Sequence, residues 1–239
     1  MEKKILFCHC CYSKLIPEET EKDLLHILSS TDSEIFLVPD LCKIAAQRNS
    51  LLSSLEKEEF AILACHPRAV LALLAQANIR LHPKTKIFNA RKQNANEILE
   101  KMDLIPGRAS FHPIQNDGEW IPWFPAIDYK RCCNCKQCLN FCLFGVYETN
   151  QDGKVEVVKP QNCKNNCPAC ARICPEIAII FPKYSQEPIN GEEILDEAKE
   201  KAKVKESIES MLGDDPYQAL MQRRRKKAKL SLLKEQDKE

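Results

Sequence analysis

Eight cysteines fall into two runs. Cys132, Cys135, Cys138 and Cys142 read C-x2-C-x2-C-x3-C, and Cys163, Cys167, Cys170 and Cys174 read C-x3-C-x2-C-x3-C with Pro175 directly after. The runs repeat one another: three cysteine pairs lie 32 residues apart and the first pair, Cys132 and Cys163, lies 31 apart. The spacing suits a cubane iron–sulfur cluster, whose four irons sit at tetrahedral corners and each take one thiolate. Three cysteines two or three residues apart on a tight loop can wrap three corners. In this motif the fourth thiolate comes from the last cysteine of the opposite run. The expected ligand sets are Cys132, Cys135, Cys138 and Cys174 for one [4Fe–4S] cluster, and Cys163, Cys167, Cys170 and Cys142 for the other.

Two other chemistries use similar patterns. Zinc favours Cys-x2-Cys knuckles, but usually as two widely separated pairs. Three cysteines in seven residues, a fourth four later and a trailing proline fit zinc poorly. Cys163-x3-Cys167-x2-Cys170 also matches the radical-SAM spacing. That motif opens a large βα barrel, and the 69 residues after Cys170 are too few to build one.

Fourteen cysteines in 239 residues are too many for ordinary packing. Met-Glu-Lys-Lys-Ile-Leu-Phe-Cys has too short an apolar stretch for a signal peptide, so the chain is expected to be cytoplasmic. Dense cysteine in that compartment points to metal or redox chemistry rather than disulfides. With 35 basic and 34 acidic residues, the net charge of +1 gives no overall bias toward nucleic acid or membrane. No apolar run reaches the length of a transmembrane helix.

The elements that must position these residues divide the chain. Residues 1–103 alternate strand and helix patterns. The runs Lys4–Cys8, Glu34–Val38, Phe60–Ala64 and Lys86–Asn89 read as buried strands, and Pro17–Leu28, Leu41–Leu55, Ala69–Gln76 and Ala95–Met102 as helices. Successive βα units predict an α/β domain with a small parallel sheet. Residues 104–128, rich in Pro and aromatics, read as a connector. Residues 129–184 form the cysteine module, with Asp152-Gly153 marking a hairpin between 146–148 and 154–158. Residues 185–239 read as a charged helical tail: a helix over 194–212 ending at Gly213, then a last helix from Asp215-Pro216.

In the first domain, Cys8, Cys10 and Cys11 follow the first strand, Cys42 the second and Cys65 the third. The carboxyl ends of parallel strands share one edge, where ligand sites of open α/β sheets gather. Buried free cysteine is also a common core residue, so inert packing competes with a metal or thiol–disulfide site here.

Residues 124–182 resemble bacterial-type two-[4Fe–4S] ferredoxins, departing at Leu143, where proline is usual, and in the extra Cys133. The resemblance implies a pseudo-symmetric α+β module of two βαβ-like halves with both clusters between them. Residues 4–91 resemble the N-terminal domain of the flavin-carrying subunit of heterodisulfide reductase. The matching pieces are Cys8-His9-Cys10, Cys42, Ala64-Cys65-His66-Pro67-Arg68 and Asn89-Ala90-Arg91; the departures are Cys11 for glycine and His66 for serine. That resemblance implies a third iron–sulfur cluster on Cys8, Cys10, Cys42 and Cys65.

The six glycines form no Gly-x-Gly, which excludes a flavin or NAD site of that type. The expected function is therefore an iron–sulfur electron carrier or electron-transfer subunit of an anaerobic-type redox complex. Its expected partners are flavoprotein or reductase subunits. The alternative is a disulfide- or sulfur-reducing enzyme using the N-terminal cysteines. Arg223, Arg224, Arg225, Lys226, Lys227 and Lys229 read as a solvated terminus or as a dock for an acidic redox partner, ahead of nucleic acid.

Overall fold

Lys3–Cys8 (β1), Ser33–Val38 (β2), Phe60–Ala64 (β3) and Lys86–Asn89 (β4) are strands in the computed structural model, which describes residues 3–115, 118–213, 215, 218, 219, 221, 222 and 225. A fifth strand, Ser110–Pro113 (β5), joins them in a sheet of order β4-β3-β1-β2-β5, and every pairing is parallel. The connecting helices are Glu18–Leu28 (α1), Leu41–Ala46 (α2), Ser54–Lys57 (α3), Pro67–Gln76 (α4) and Ala95–Leu99 (α5). On one face Ile5, Phe7, Ile35 and Leu63 pack with Leu24 and Leu28 of α1 and Ile98 of α5. Leu6 and Ile62, which alternate with them, are just as buried, as a sheet covered on both faces requires.

Two local outcomes differ from the pattern reading. The stretch 41–55 is not one helix: α2 ends at Gln47, Arg48 turns left-handed at φ 50°, and a 3-10 turn over Ser50–Ser53 leads into α3. The side chain of Asn49 accepts from Leu51 N–H, and the Ser53 and Ser54 hydroxyls donate to Ser50 and Leu51 carbonyls. Such short polar side chains give the backbone partners that compete with a continuous helix. The second difference is β5, inside the expected connector. It is an edge strand with Phe111, His112 and Pro113 exposed, so neither alternation nor a buried run announces it. Proline at its end is tolerated because an edge strand has a free hydrogen-bonding side.

The chain forms two compact units, Met1–Pro122 with Asn190–Glu192, and Trp123–Ile189 with Glu193–Glu239. In the second, Ala126–Ile127 (β6) pairs antiparallel with Ile179–Ile180 (β9), and Tyr147–Thr149 (β7) with Val155–Val157 (β8). Gly153, at φ 74°, makes the turn of that hairpin possible. Short helices Gln137–Phe141 (α6) and Ala169–Arg172 (α7) carry cysteines, and Glu197–Leu212 (α8) covers Phe141 and Ile173 with Ile208, Met211 and Leu212. Asp196 caps α8 by accepting from Lys199 N–H, and Gly213 ends it. Pro216 and all of the basic run except Arg225 lie outside the described residues. Among the described residues no helix is long and apolar enough to cross a membrane.

Candidate metal centres

The loop between β6 and α6 curls because two residues take left-handed backbone, Asn134 at φ 57° and Lys136 at φ 62°. Asn134 also ties the loop to the hairpin: its Oδ1 accepts from Val155 N–H at 3.0 Å and its Nδ2 donates to the Gly153 carbonyl at 2.9 Å. Cys132 N–H donates to the Asp128 carbonyl at 3.0 Å. The thiols of this loop and of α6 line a pocket bounded by Cys132, Cys133, Cys135, Cys138 and Cys174. Ile127, Ala178 and Ile179 supply apolar wall, and Ala178 N–H donates to Cys174 Sγ at 3.3 Å. Charged groups flank it: Arg131 Nη2 meets Glu197, and Lys201 bridges Glu197 and Glu176.

A second pocket is lined by Cys142, Cys163, Cys167 and Cys170. Asn166 (φ 58°) stands 32 residues after Asn134 and repeats its left-handed turn. Ile177 (φ 52°) likewise repeats Gly145 (φ 70°). A β-branched residue there is strained, whereas glycine is not. Tyr147 O–H donates to Cys170 Sγ at 3.1 Å. The rim is apolar, with Leu143 47% and Phe144 43% exposed.

The first pocket thus takes Cys132, Cys133, Cys135 and Cys138 from one run and Cys174 from the other, and the second takes Cys163, Cys167 and Cys170 from one run and Cys142 from the other. The donor set fits an iron–sulfur cluster: each pocket offers at least four thiols beside apolar wall, the chemistry that a cluster with one thiolate per iron requires. Among the described residues no three His, Cys, Asp or Glu converge as a single-ion cage. A tetrahedral zinc–thiolate set would draw its sulfurs to about 3.8 Å of one another.

Burial sets the thiols' protonation. It pushes Cys138 and Cys163 up to about 12, each further raised by the crossing cysteine of the other run, Cys174 and Cys142 respectively. Cys170 is pushed well above the usual thiol range by burial, against the opposing Tyr147 hydrogen bond. Cys174 is raised by burial, while the N–H groups of Ala178, Glu176 and Ile179 oppose the shift. Without metal these are neutral thiols, and cation binding must release their protons. The extra Cys133 is exposed and lies beside Cys135, whose shift is upward from burial first.

In the first unit, Cys8 ends β1, Cys10 follows at φ 50°, and Cys65 follows β3. Chain order reverses between β1 and β3, one strand leading to β2 and the other to β4. The crevice beyond such a switch point is where open α/β sheets bind ligands. Cys8, Cys10 and Cys42 are buried, Cys65 is half-buried and Cys11 is exposed. Leu41 N–H, at the start of α2 and next to Cys42, donates to Cys8 Sγ at 3.2 Å. Burial pushes Cys8 well up, and Asp40, Cys10 and Cys65 add to it. Cys65 is pushed to about 12 by burial, opposed by Arg91. His66, 1% exposed, faces Asn89 Nδ2 through Nδ1 at 3.1 Å, and burial lowers it to about 4.

Sequence reasoning missed Asn134 and Tyr147. Only the repeat could have flagged them, Asn134 by its match to Asn166 and Tyr147 by its mismatch with Ile179.

No family model and no solved structure matches the chain. Over 63 residues, 26% of its length, the chain is 52% identical to an uncharacterized ferredoxin of Methanocaldococcus jannaschii, and it covers 42% of that protein. It is 33% identical over 75 residues to Ferredoxin-3 of Nostoc sp., an overlap of 24% of this chain and 76% of that protein. The chain thus spans less than half of the first relative and about three quarters of the second. Two cysteine-lined cavities built from repeated runs, together with identity across most of the length of Ferredoxin-3, mean that this chain belongs to the ferredoxin family.

Proposed function

We propose that this protein is an iron–sulfur electron carrier, or an electron-transfer subunit of an anaerobic-type oxidoreductase, with two [4Fe–4S] clusters. One is held by Cys132, Cys135, Cys138 and Cys174, the other by Cys163, Cys167, Cys170 and Cys142. The observation that carries the reading is the crossed lining of the two cavities. A bound cluster supplies single-electron storage. The chain's own part is to present four deprotonated thiols, hold them with the Ala178 and Tyr147 donors, and exclude water with residues such as Ile127, Ile179, Phe141 and Val146. The name of Ferredoxin-3 and the identity to it support the electron-transfer role. The absence of Gly-x-Gly favours a partner, a flavoprotein or reductase subunit, for two-electron chemistry.

The test is anaerobic reconstitution of the full chain. About eight irons and eight acid-labile sulfides per chain are expected. A colourless protein that takes up stoichiometric zinc instead would sink the reading.

A second reading concerns the first unit and is favoured by the gathering of Cys8, Cys10 and Cys65 at the switch point. There, with Cys42, they hold a third cluster, as the resemblance to the heterodisulfide reductase subunit implies, or they reduce a small disulfide with electrons from the ferredoxin unit. Turnover of a disulfide by the reduced, isolated protein separates the enzyme from the carrier.

A further inference from the structure

The 32-residue repeat sets Cys138 of the first ring against Cys170 of the second, and Ile179 of β9 against Tyr147 of β7. Ile179 lines the first pocket along with Cys138, and its side chain has no hydrogen-bond donor. Tyr147 lines the second pocket, and its hydroxyl donates to Cys170 Sγ at 3.1 Å. Tyr147 is 2% exposed and Cys170 8%, so the bond between them is buried. At equivalent places, then, one ring has an aliphatic wall and the other an oriented O–H aimed at a ligand sulfur.

We propose that Tyr147 is a positioning residue that raises the reduction potential of the second ring through its hydrogen bond to Cys170. The inference rests on the two-cluster reading above. One added electron places more negative charge on the thiolate sulfurs, and a hydrogen bond to a charged acceptor is stronger than one to a less charged acceptor. A donor already held at the sulfur therefore stabilises the reduced state more than the oxidised one, and hydrogen bonds to cluster sulfurs are among the factors that set these potentials. The burial of the pair keeps the local dielectric low, which enlarges the difference. The electron comes from an external one-electron reductant, and the proton stays on Tyr147 throughout.

The test compares the full-length protein with Tyr147→Phe, both reconstituted anaerobically and titrated with dithionite under EPR. Iron and sulfide are measured first. If the unsubstituted protein takes up neither, the two-cluster reading fails and this inference fails with it. With both proteins loaded, one of the two reduction steps is expected to move to more negative potential in Tyr147→Phe. The change in that ring's one-electron equilibrium should be on the order of fivefold, while the other step stays in place. The step that moves should be the one lost in Cys163→Ser, and Ile179→Leu should move neither. Two unmoved steps, or an equal shift of both, overturn the inference. Should Tyr147→Phe fail to load, site-specific 3,5-difluorotyrosine at position 147 decides. As a stronger donor it is expected to shift the same step to more positive potential, and no shift overturns the inference.

Discussion

The thiols of the second unit come together because they are neighbours in sequence, held on left-handed turns at Asn134 and Asn166 and on the short helices α6 and α7. Those of the first unit come together because a parallel sheet places the ends of β1 and β3 side by side, although Cys8 and Cys65 are 57 residues apart. The two arrangements have different costs. Local spacing closes only short loops, and the crossing cysteines Cys142 and Cys174 then join the halves. Gathering by topology requires the whole sheet to form first, since loop-closure entropy must be met before distant thiols meet. One site is therefore written in a motif, and the other in the order of strands.

The largest effects should come from breaking the crossed rings. Cys138→Ser and Cys174→Ser, although 36 residues apart, are expected to lose the same cluster, about four irons per chain. Cys142→Ser should lose the other, together with Cys163→Ser. Matching EPR spectra within each pair are the check; if Cys174→Ser paired with Cys163→Ser, each run would close its own ring.

In the first unit, the combined Cys8→Ala and Cys65→Ala substitution is expected to leave the iron of the second unit unchanged. It should remove whatever iron the full chain holds beyond about eight per chain. An iron count that does not fall would return these thiols to packing or to dithiol chemistry.

Alkaline pH compares the two regions by another route. The thiols of Cys65, Cys138 and Cys163 stand at about 12 in the folded chain against an ordinary 9.0. Between those values the unfolded chain has lost protons that the folded chain still holds, so unfolding is favoured as pH rises. The stability that these neutral thiols contribute is complete below 9 and is lost progressively up to 12. Metal-free protein should show this fall in denaturant titrations. Iron loading should suppress it for the cysteines that bind, so a fall that survives loading comes from groups outside the two rings that burial also pushes up, Cys8, Cys65 and Tyr129 among them.

The smallest effect expected is that of Asn134→Ala, which frees the hairpin from the first loop. Each hydrogen bond lost is worth about 1 kcal/mol, and the first ring should lose iron to a chelator faster than the second.

These differences follow how each feature is encoded. The eight cysteines that line the two pockets with Cys133, the Gly153 turn and strands β1 to β4 were legible because spacing, turn chemistry and apolar runs are local signals. The break after Ala46 was only partly so: Asn49, Ser50, Ser53 and Ser54 were visible, but their capping bonds depend on the fold. Strand β5 carries no periodic signal, because its partner β2 and its edge position determine it. Tyr147 and Asn134 were not legible as site residues, because each acts on a residue about twenty positions away through one hydrogen bond.

The crossing has a consequence in time. On the ribosome, Cys132, Cys135 and Cys138 emerge first, yet under the proposed ligation their ring lacks its fourth thiol until Cys174 has been made, 36 residues later. At about 5–20 residues per second that is a wait of about 2–7 s. The second ring already has Cys142 when its own run arrives, and it is complete at Cys170, four residues before the first. The ring that starts first thus finishes last, and for those seconds three thiols of a nascent chain stand open to any soft metal ion that reaches them.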